Sequence, residues 1–213
     1  TLLILFALSL PTQRLDAQIY AKLNGLYALV GVINPAVEFT VSPKSTFQTE
    51  IVFSPWKYVN DHGVDKPMKF GILMTEYRRY FKQHNRGWYL GANMGMMGFK
   101  MSKPQFSDGW FLENRYSKGY GMMIGICGGF EYQFADRWLL DAYFGWSYML
   151  SWYNGYSLDG TIDLYPHRPV QLEKPDPFNG SHEWLPNKIG VSIGFMIFNP
   201  ARRGRTGSSC AVR

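Results

Sequence analysis

Residues 87–100 read GWYLGANMGMMGFK. Trp88, Leu90, Ala92, Met94 and Met96 form one row; Tyr89, Gly91, Asn93, Gly95 and Met97 form the other. Alternation this long belongs to a strand, because successive side chains leave opposite faces of the pleat. In a soluble β protein the bulky row turns toward a core and the small, polar row meets water. In a membrane-spanning strand curled into a narrow cylinder the polarity reverses.

The same pattern recurs along the chain. Ile124, Ile126, Phe130, Tyr132 and Phe134 oppose Gly125, Cys127, Gly129, Glu131 and Gln133. Trp138, Leu140, Ala142, Phe144, Trp146 and Tyr148 oppose Asp141, Tyr143, Gly145 and Ser147. Val191, Ile193, Phe195 and Ile197 face away from Ser192 and Gly194, and Phe47, Ile51 and Phe53 from Gln48, Glu50 and Ser54. Period-2 segments are expected at Ile19–Leu29, Ala36–Ser42, Thr46–Pro55, Met68–Phe81, Gly87–Lys100, Ser117–Phe134, Arg137–Trp152 and Lys188–Phe198. No convincing helical amphipathic stretch lies between them.

The connections alternate in length. SPKS, KQHNR and AD are tight turns of Pro, Ser, Asn and Asp type. Between them lie Trp56–Pro67, Met101–Tyr116 and Tyr153–Asn187, with VGVINP the short exception. Short turns at one end and longer links at the other are the pattern of an up-and-down barrel in an outer membrane. The predicted fold is all-β: an eight-stranded, antiparallel, up-and-down transmembrane β-barrel over residues 18–198. A lumen of that size is barely wide enough for its own side chains. Four rows of Trp, Phe, Tyr and Ile do not fit it while glycine covers the outside. The bulky rows are therefore expected to face lipid. A soluble, lipocalin-like barrel with an aromatic core is the alternative.

The ends support export. Leu2 to Leu10 is an apolar run, followed by Pro11 and Ala17, the layout of a secretory signal and too short to span a bilayer. Residues 1–17 are read as a signal peptide, with a buried first strand as the other reading. Residues 199–213 are read as a basic, disordered tail. The formal charge is +6, but without the two ends 17 basic and 15 acidic residues remain, a net +2. That excludes the basic field a nucleic-acid partner demands. With 46% hydrophobic and 17% aromatic residues the chain is long enough for one domain. Cys127 and Cys210 make no metal-like spacing with histidine, so no metal or cofactor is expected.

The polar rows carry Lys22, Glu38, Glu50, Glu76, Arg78, Glu131, Asp141 and Lys188. Charges persist in a narrow lumen when paired and hydrogen-bonded, so these eight are expected to form a salt-bridge plug, or the lining of a gated pore. Tyr77, Phe81, Trp88, Phe134 and Trp138 adjoin the short turns and are assigned to the inner aromatic girdle. Trp56, Trp146, Tyr148 and Trp152 suit the outer one, with Phe144 and Phe195 facing lipid between them. In the longest link, Tyr165, His167, Arg168 and Trp184 are candidates for a loop binding site. His62, His84, His167 and His182, with Ser181 and Glu183, are the residues a lipid-modifying barrel enzyme would draw on. A catalytic set must converge within hydrogen-bond reach, and no spacing here requires that. A non-enzymatic protein is expected.

KLNGLYALVGVINPAVEFTVSPKSTFQTEIVFSPW, MTEYRRYF, GWYLGANMG, YGMMIGICGGFEYQF and RWLLDAYFGWSY together resemble a Bacteroidota family of small outer-membrane β-barrel proteins of unknown function. Their order covers about Tyr20 to Phe198. The resemblance implies an eight-stranded, outer-membrane-protein-A-like barrel in contact with outer-membrane lipid. It also implies a supporting role in surface assembly, with fimbria-like surface proteins as partners through the external loops. A small solute channel is the alternative function. The chain departs from the usual pattern at its last strand, where Phe198 stands one step out of the Val191–Ile197 row and NPARRGRTGSSCAVR follows.

Overall fold

The computed structural model describes residues 18–105, 111–112, 115–158 and 181–199. The side chains of 104–105, 111–112 and 181–182 are outside that description.

Alternating side chains make eight long strands. They are β1 (Ile19–Asn24), β2 (Pro35–Ser42), β3 (Ser45–Phe53), β5 (Val64–Tyr80), β6 (Gly87–Met101), β9 (Arg115–Ala135), β10 (Trp138–Ser157) and β11 (Ser181–Phe198). Between them come α1 (Gly25–Leu29), β4 (Tyr58–Asp61) and the two-residue β7 (Pro104–Gln105) and β8 (Phe111–Leu112). Nine strands share one antiparallel sheet in the order β3-β2-β1-β11-β10-β9-β6-β5-β4, and β3 also pairs with β5. That last pairing closes the eight long strands into a ring, with β4 attached outside it as a hairpin on β5. No helix among the described residues is long and apolar enough to cross a membrane, which leaves strand crossings untouched.

The ring's polarity is inverted relative to a water-soluble protein. Trp88, Phe144 and Ile193 are 66%, 49% and 42% exposed, whereas Glu76 and Asp141 are 1% and 0% exposed. Along β2, β6 and β10 exposed apolar side chains alternate with buried ones, and the buried set holds charged and small residues together with a few large ones such as Tyr89 and Leu139.

Turn chemistry sets one end of the ring. Asp136 and Arg137 alone join β9 to β10, while Asn85 and Gly87, at φ 57° and 82°, reverse the chain between β5 and β6. At the other end His62 and Gly63, at φ 52° and 81°, supply the two left-handed positions of a tight hairpin between β4 and β5.

Four expectations need correction. The first strand stops at Asn24, not Leu29, because the Asn24 side chain accepts from the Leu26 and Tyr27 amides and starts α1. The Trp56–Pro67 link is largely the β4–β5 hairpin, since backbone pairing continues where the side-chain alternation fades. For the same reason β10 runs on to Ser157 and β11 begins at Ser181, shrinking the longest link to 158–180. Finally, Phe198 is not out of step. Ile19 pairs with Phe198 and Tyr20 with Met196, so a bulge at Ile197 turns both Ile197 and Phe198 outward.

Candidate functional site: the charged interior of the ring

Seven strands supply the eight charges assigned to the interior, because inward positions alternate with outward ones along each strand. β1 brings Lys22, β2 Glu38, β3 Glu50, and β5 both Glu76 and Arg78. β9 brings Glu131 and β10 Asp141, while Lys188 comes from β11, a seventh strand. All eight are at most 4% exposed.

They form two linked clusters. In the first, Arg78 Nη1 donates to Asp141 Oδ2 at 2.7 Å, to Glu131 Oε1 at 3.0 Å and to Glu38 Oε2 at 3.4 Å. The Lys22 ammonium is paired with the same three carboxylates, Glu38, Glu131 and Asp141. In the second, Lys188 Nζ lies 2.5 Å from Glu76 Oε2 and 3.1 Å from Glu50 Oε1. Arg78 Nε donates to Glu76 Oε1 at 2.6 Å and joins the two. Burying ions this deeply costs several kcal/mol each, and only pairing with full hydrogen bonding offsets that.

Five acids face three bases here, and neutral donors take up the excess. Tyr80 OH donates to Glu38 at 2.9 Å and Tyr89 OH to Asp141 at 2.9 Å. Asn85 donates to Glu131 at 3.2 Å and Gln48 to Glu50 at 2.9 Å, and Thr46 donates to Glu38. The Arg78 guanidinium also stands over the Tyr89 ring, 4.6 Å from its centroid, which favours a cation over the ring's negative face. Tyr89 in turn lies against Gly129, where a Cβ would come within 2.4 Å of the phenol oxygen. A side chain at that position would push the ring off the cluster.

Glu38, Glu131 and Asp141 can bring carboxylate oxygens within 4.8 Å of one another, the spacing a metal ion would use. Lys22 and Arg78 each reach all three. Two fixed cations therefore stand where the metal's charge would go, and the residues do not fit a resident ion.

A neutral layer lies above the charges, toward the α1 end. Ser147 Oγ and Asn187 Nδ2 both donate to Asn93 Oδ1, at 3.1 and 3.2 Å. Asn187 reaches it because β11 bulges there, with Lys188 opposite Gly145 and Pro186 opposite Trp146. Met74 and Met123 are buried in the same layer, their sulfurs 3.8 Å from Asn187 Nδ2. The Asn24 amide donates to Tyr143 OH at 3.0 Å, tying the start of α1 to β10. Sequence reading placed Asn93, Tyr89 and Tyr143 on polar rows without assigning them to the network. Gln48 was likewise on a polar row only, and Thr46, Tyr80 and Asn85 went unassigned altogether. The signal was parity: Gln48 lies two residues before Glu50, and Tyr80 two after Arg78.

Among the proposed girdle residues, Tyr77, Phe81, Trp88, Phe134, Trp138, Phe144 and Trp146 are exposed outward, and Tyr148 and Phe195 are half-exposed. Trp88 meets Phe130 edge-on at 5.1 Å and Trp138 packs on Phe195 at 4.8 Å. Of the loop candidates, Tyr165, His167 and Arg168 lie outside the described residues, and Trp184 is exposed on β11, 5.3 Å from the Tyr148 ring. His62 and His84 sit in turns at opposite ends of the ring, so they do not converge. His167 and the side chains of Ser181 and His182 lie outside the described residues. Glu183 instead accepts from Lys103 at 3.0 Å. Burial lowers the affinity of the Lys103 ammonium for its proton, but the hydrogen bond to Glu183 together with the attraction of Glu183 and Tyr153 outweighs it and leaves the group above the ordinary lysine range.

A search of curated proteins and a search of solved structures each return no match. The family model described as "Protein of unknown function (DUF3575)" matches residues 1–197, and the chain belongs to that family.

Proposed function

We propose that the ring is an eight-stranded transmembrane β-barrel of the outer membrane, exported by residues 1–17, with a lumen closed by its own ion pairs. The observation that carries this reading is the inverted polarity: Arg78 is 0% exposed while Ile126 and Trp88 are 70% and 66% exposed. A soluble monomer does not leave a continuous apolar belt around its circumference, because such patches drive association. Hydrocarbon accepts that belt, and a closed strand ring leaves no unpaired backbone edge in lipid. With the lumen filled by paired side chains, the barrel serves as a non-enzymatic structural or surface-interaction protein. Its partners meet it at the end that carries α1, the β4–β5 hairpin and the 158–180 link, where fimbria-like surface proteins are the candidates.

Fractionation followed by electrophoresis of unheated and boiled samples tests the membrane assignment. The expected result is recovery in the outer-membrane fraction and a folded band that shifts on boiling. Recovery as a detergent-free soluble monomer overturns it.

A further inference from the structure

The outer face of the ring carries an unusual register. Lys69 pairs with Lys100, and Lys100 with Lys118, on the adjacent strands β5, β6 and β9. All three belong to the outward set, each in step with exposed side chains of its own strand: Leu73 and Tyr77 on β5, Met94 and Met96 on β6, Tyr120 and Met122 on β9. Like charges directly opposite one another destabilise a sheet. None of the three pairs with a carboxylate among the described residues, although Lys100 Nζ lies 4.9 Å over the Tyr116 ring. An anion placed on the row removes the repulsion.

Directly beneath the lysines the sheet is bare. Gly71 pairs with Gly98, and a Cβ added at either would meet nothing within 4 Å. The two glycines floor an open notch of about 550 Å³ that the lysines rim, with Tyr120 at its side. Tyr120 and Trp152 stack at 5.4 Å beside it. The notch continues into a second, almost wholly apolar depression of about 670 Å³, lined by Ile51, Leu73, Met96 and Met122. The two share Gly71, Gly98 and Tyr120. A cationic rim above an apolar slot is the negative image of an amphiphile.

Height agrees. From Trp88 to Lys100 along β6 is twelve residues, roughly 40 Å of strand and about 30 Å of rise at the usual tilt. An apolar band about 25 Å tall that starts near Trp88 ends just below the lysines. We propose that this groove binds a phosphorylated membrane lipid, its phosphate on Lys69, Lys100 and Lys118 and an acyl chain in the Gly71–Gly98 slot. The proposal rests on the membrane-spanning reading and assigns the site to the leaflet at the α1 end.

Native mass spectrometry of the detergent-solubilised full chain tests it, with short-chain phosphatidic acid as probe and phosphatidylcholine of equal chain length as comparison. Phosphatidic acid is expected to bind preferentially. Removing all three charges (Lys69→Gln, Lys100→Gln, Lys118→Gln) is expected to weaken it about a hundred-fold, roughly five-fold per lysine. Gly98→Leu fills the slot with every charge kept, and it is expected to weaken the probe at least five-fold. A control removing the same charge from the opposite end (Lys44→Gln, Lys82→Gln, Arg137→Gln) is expected to retain binding. Equal losses in row and control variants, unchanged binding in the row variant, or inorganic phosphate displacing the probe at equal concentration each overturn the site. The boiling-dependent gel shift, run on every variant in neutral detergent, reports folding separately. Its failure in the unaltered protein counts against the barrel, and its persistence with lost binding isolates the lipid site.

Discussion

Arg78 and Asp141, sixty-three positions apart, meet inside the ring at 2.7 Å, and the same Asp141 oxygen also accepts from Lys22 at 3.0 Å. One carboxylate thus holds together β1, β5 and β10, which lie on different sides of the closed sheet. Removing one partner of such a group leaves an uncompensated charge in a fully buried site. Removing both is far milder.

Arg78→Ala is therefore expected to destabilise the folded band by about 3–5 kcal/mol. Arg78→Met combined with Asp141→Asn is expected to lose markedly less than the sum of the two single changes. Urea titration of the folded band in detergent measures both, and strict additivity would contradict the cross-ring coupling.

Lys22 stands among Glu38, Glu131 and Asp141 as their cation. A chelator is expected to leave the urea midpoint of the unaltered protein where it was. Lys22→Met should lower stability by about 3 kcal/mol or more, since three carboxylates are then left with Arg78 alone. Millimolar calcium should restore part of that loss in the variant and none in the parent, because only the variant frees oxygens for a hard cation.

Glycine substitutions separate the inside of the ring from its outside. Gly129→Ala places a methyl within 2.4 Å of the Tyr89 phenol, so the ring must leave Asp141. A loss of about 1–3 kcal/mol is expected. Gly98→Ala, facing open space, should change stability by no more than about 0.5 kcal/mol. Thermal or urea midpoints for the pair provide the comparison, and equal effects would count against the assignment of faces.

Planar-bilayer recording distinguishes a filled lumen from a channel. The unaltered barrel is expected to give no stepwise current, and folded Arg78→Ala to give openings where water enters the vacated volume. Steady conductance by the parent protein would support the solute-channel reading instead.

Period-2 alternation made the ring legible because the pleat forces it: once Trp88 is outside, Tyr89 and Asn93 must be inside. The eight interior charges could be read for the same reason. What alternation cannot report is which strands are neighbours. That Lys69, Lys100 and Lys118 form one row depends on the register of β5, β6 and β9. Bulges are similarly hidden, as at Asn187 and Ile197, where one extra residue changes a side chain's face. The α1 turn escaped because Leu26, Tyr27 and Leu29 extend an apolar run, while the capping role of Asn24 is a matter of local hydrogen bonding.

The ring is sealed by β1 against β11, the first and last of its strands, so a chain that pairs its neighbouring hairpins first is expected to zip this seam last. Until then Lys22 on one lip and Lys188 on the other are separated, and the carboxylates awaiting them need solvent. Zipping the seam must expel that water in the same event that seats the ammonium groups. Drying of the interior and completion of the cylinder become a single late step, and a charge removed from either lip should stall assembly at an open, wetted sheet.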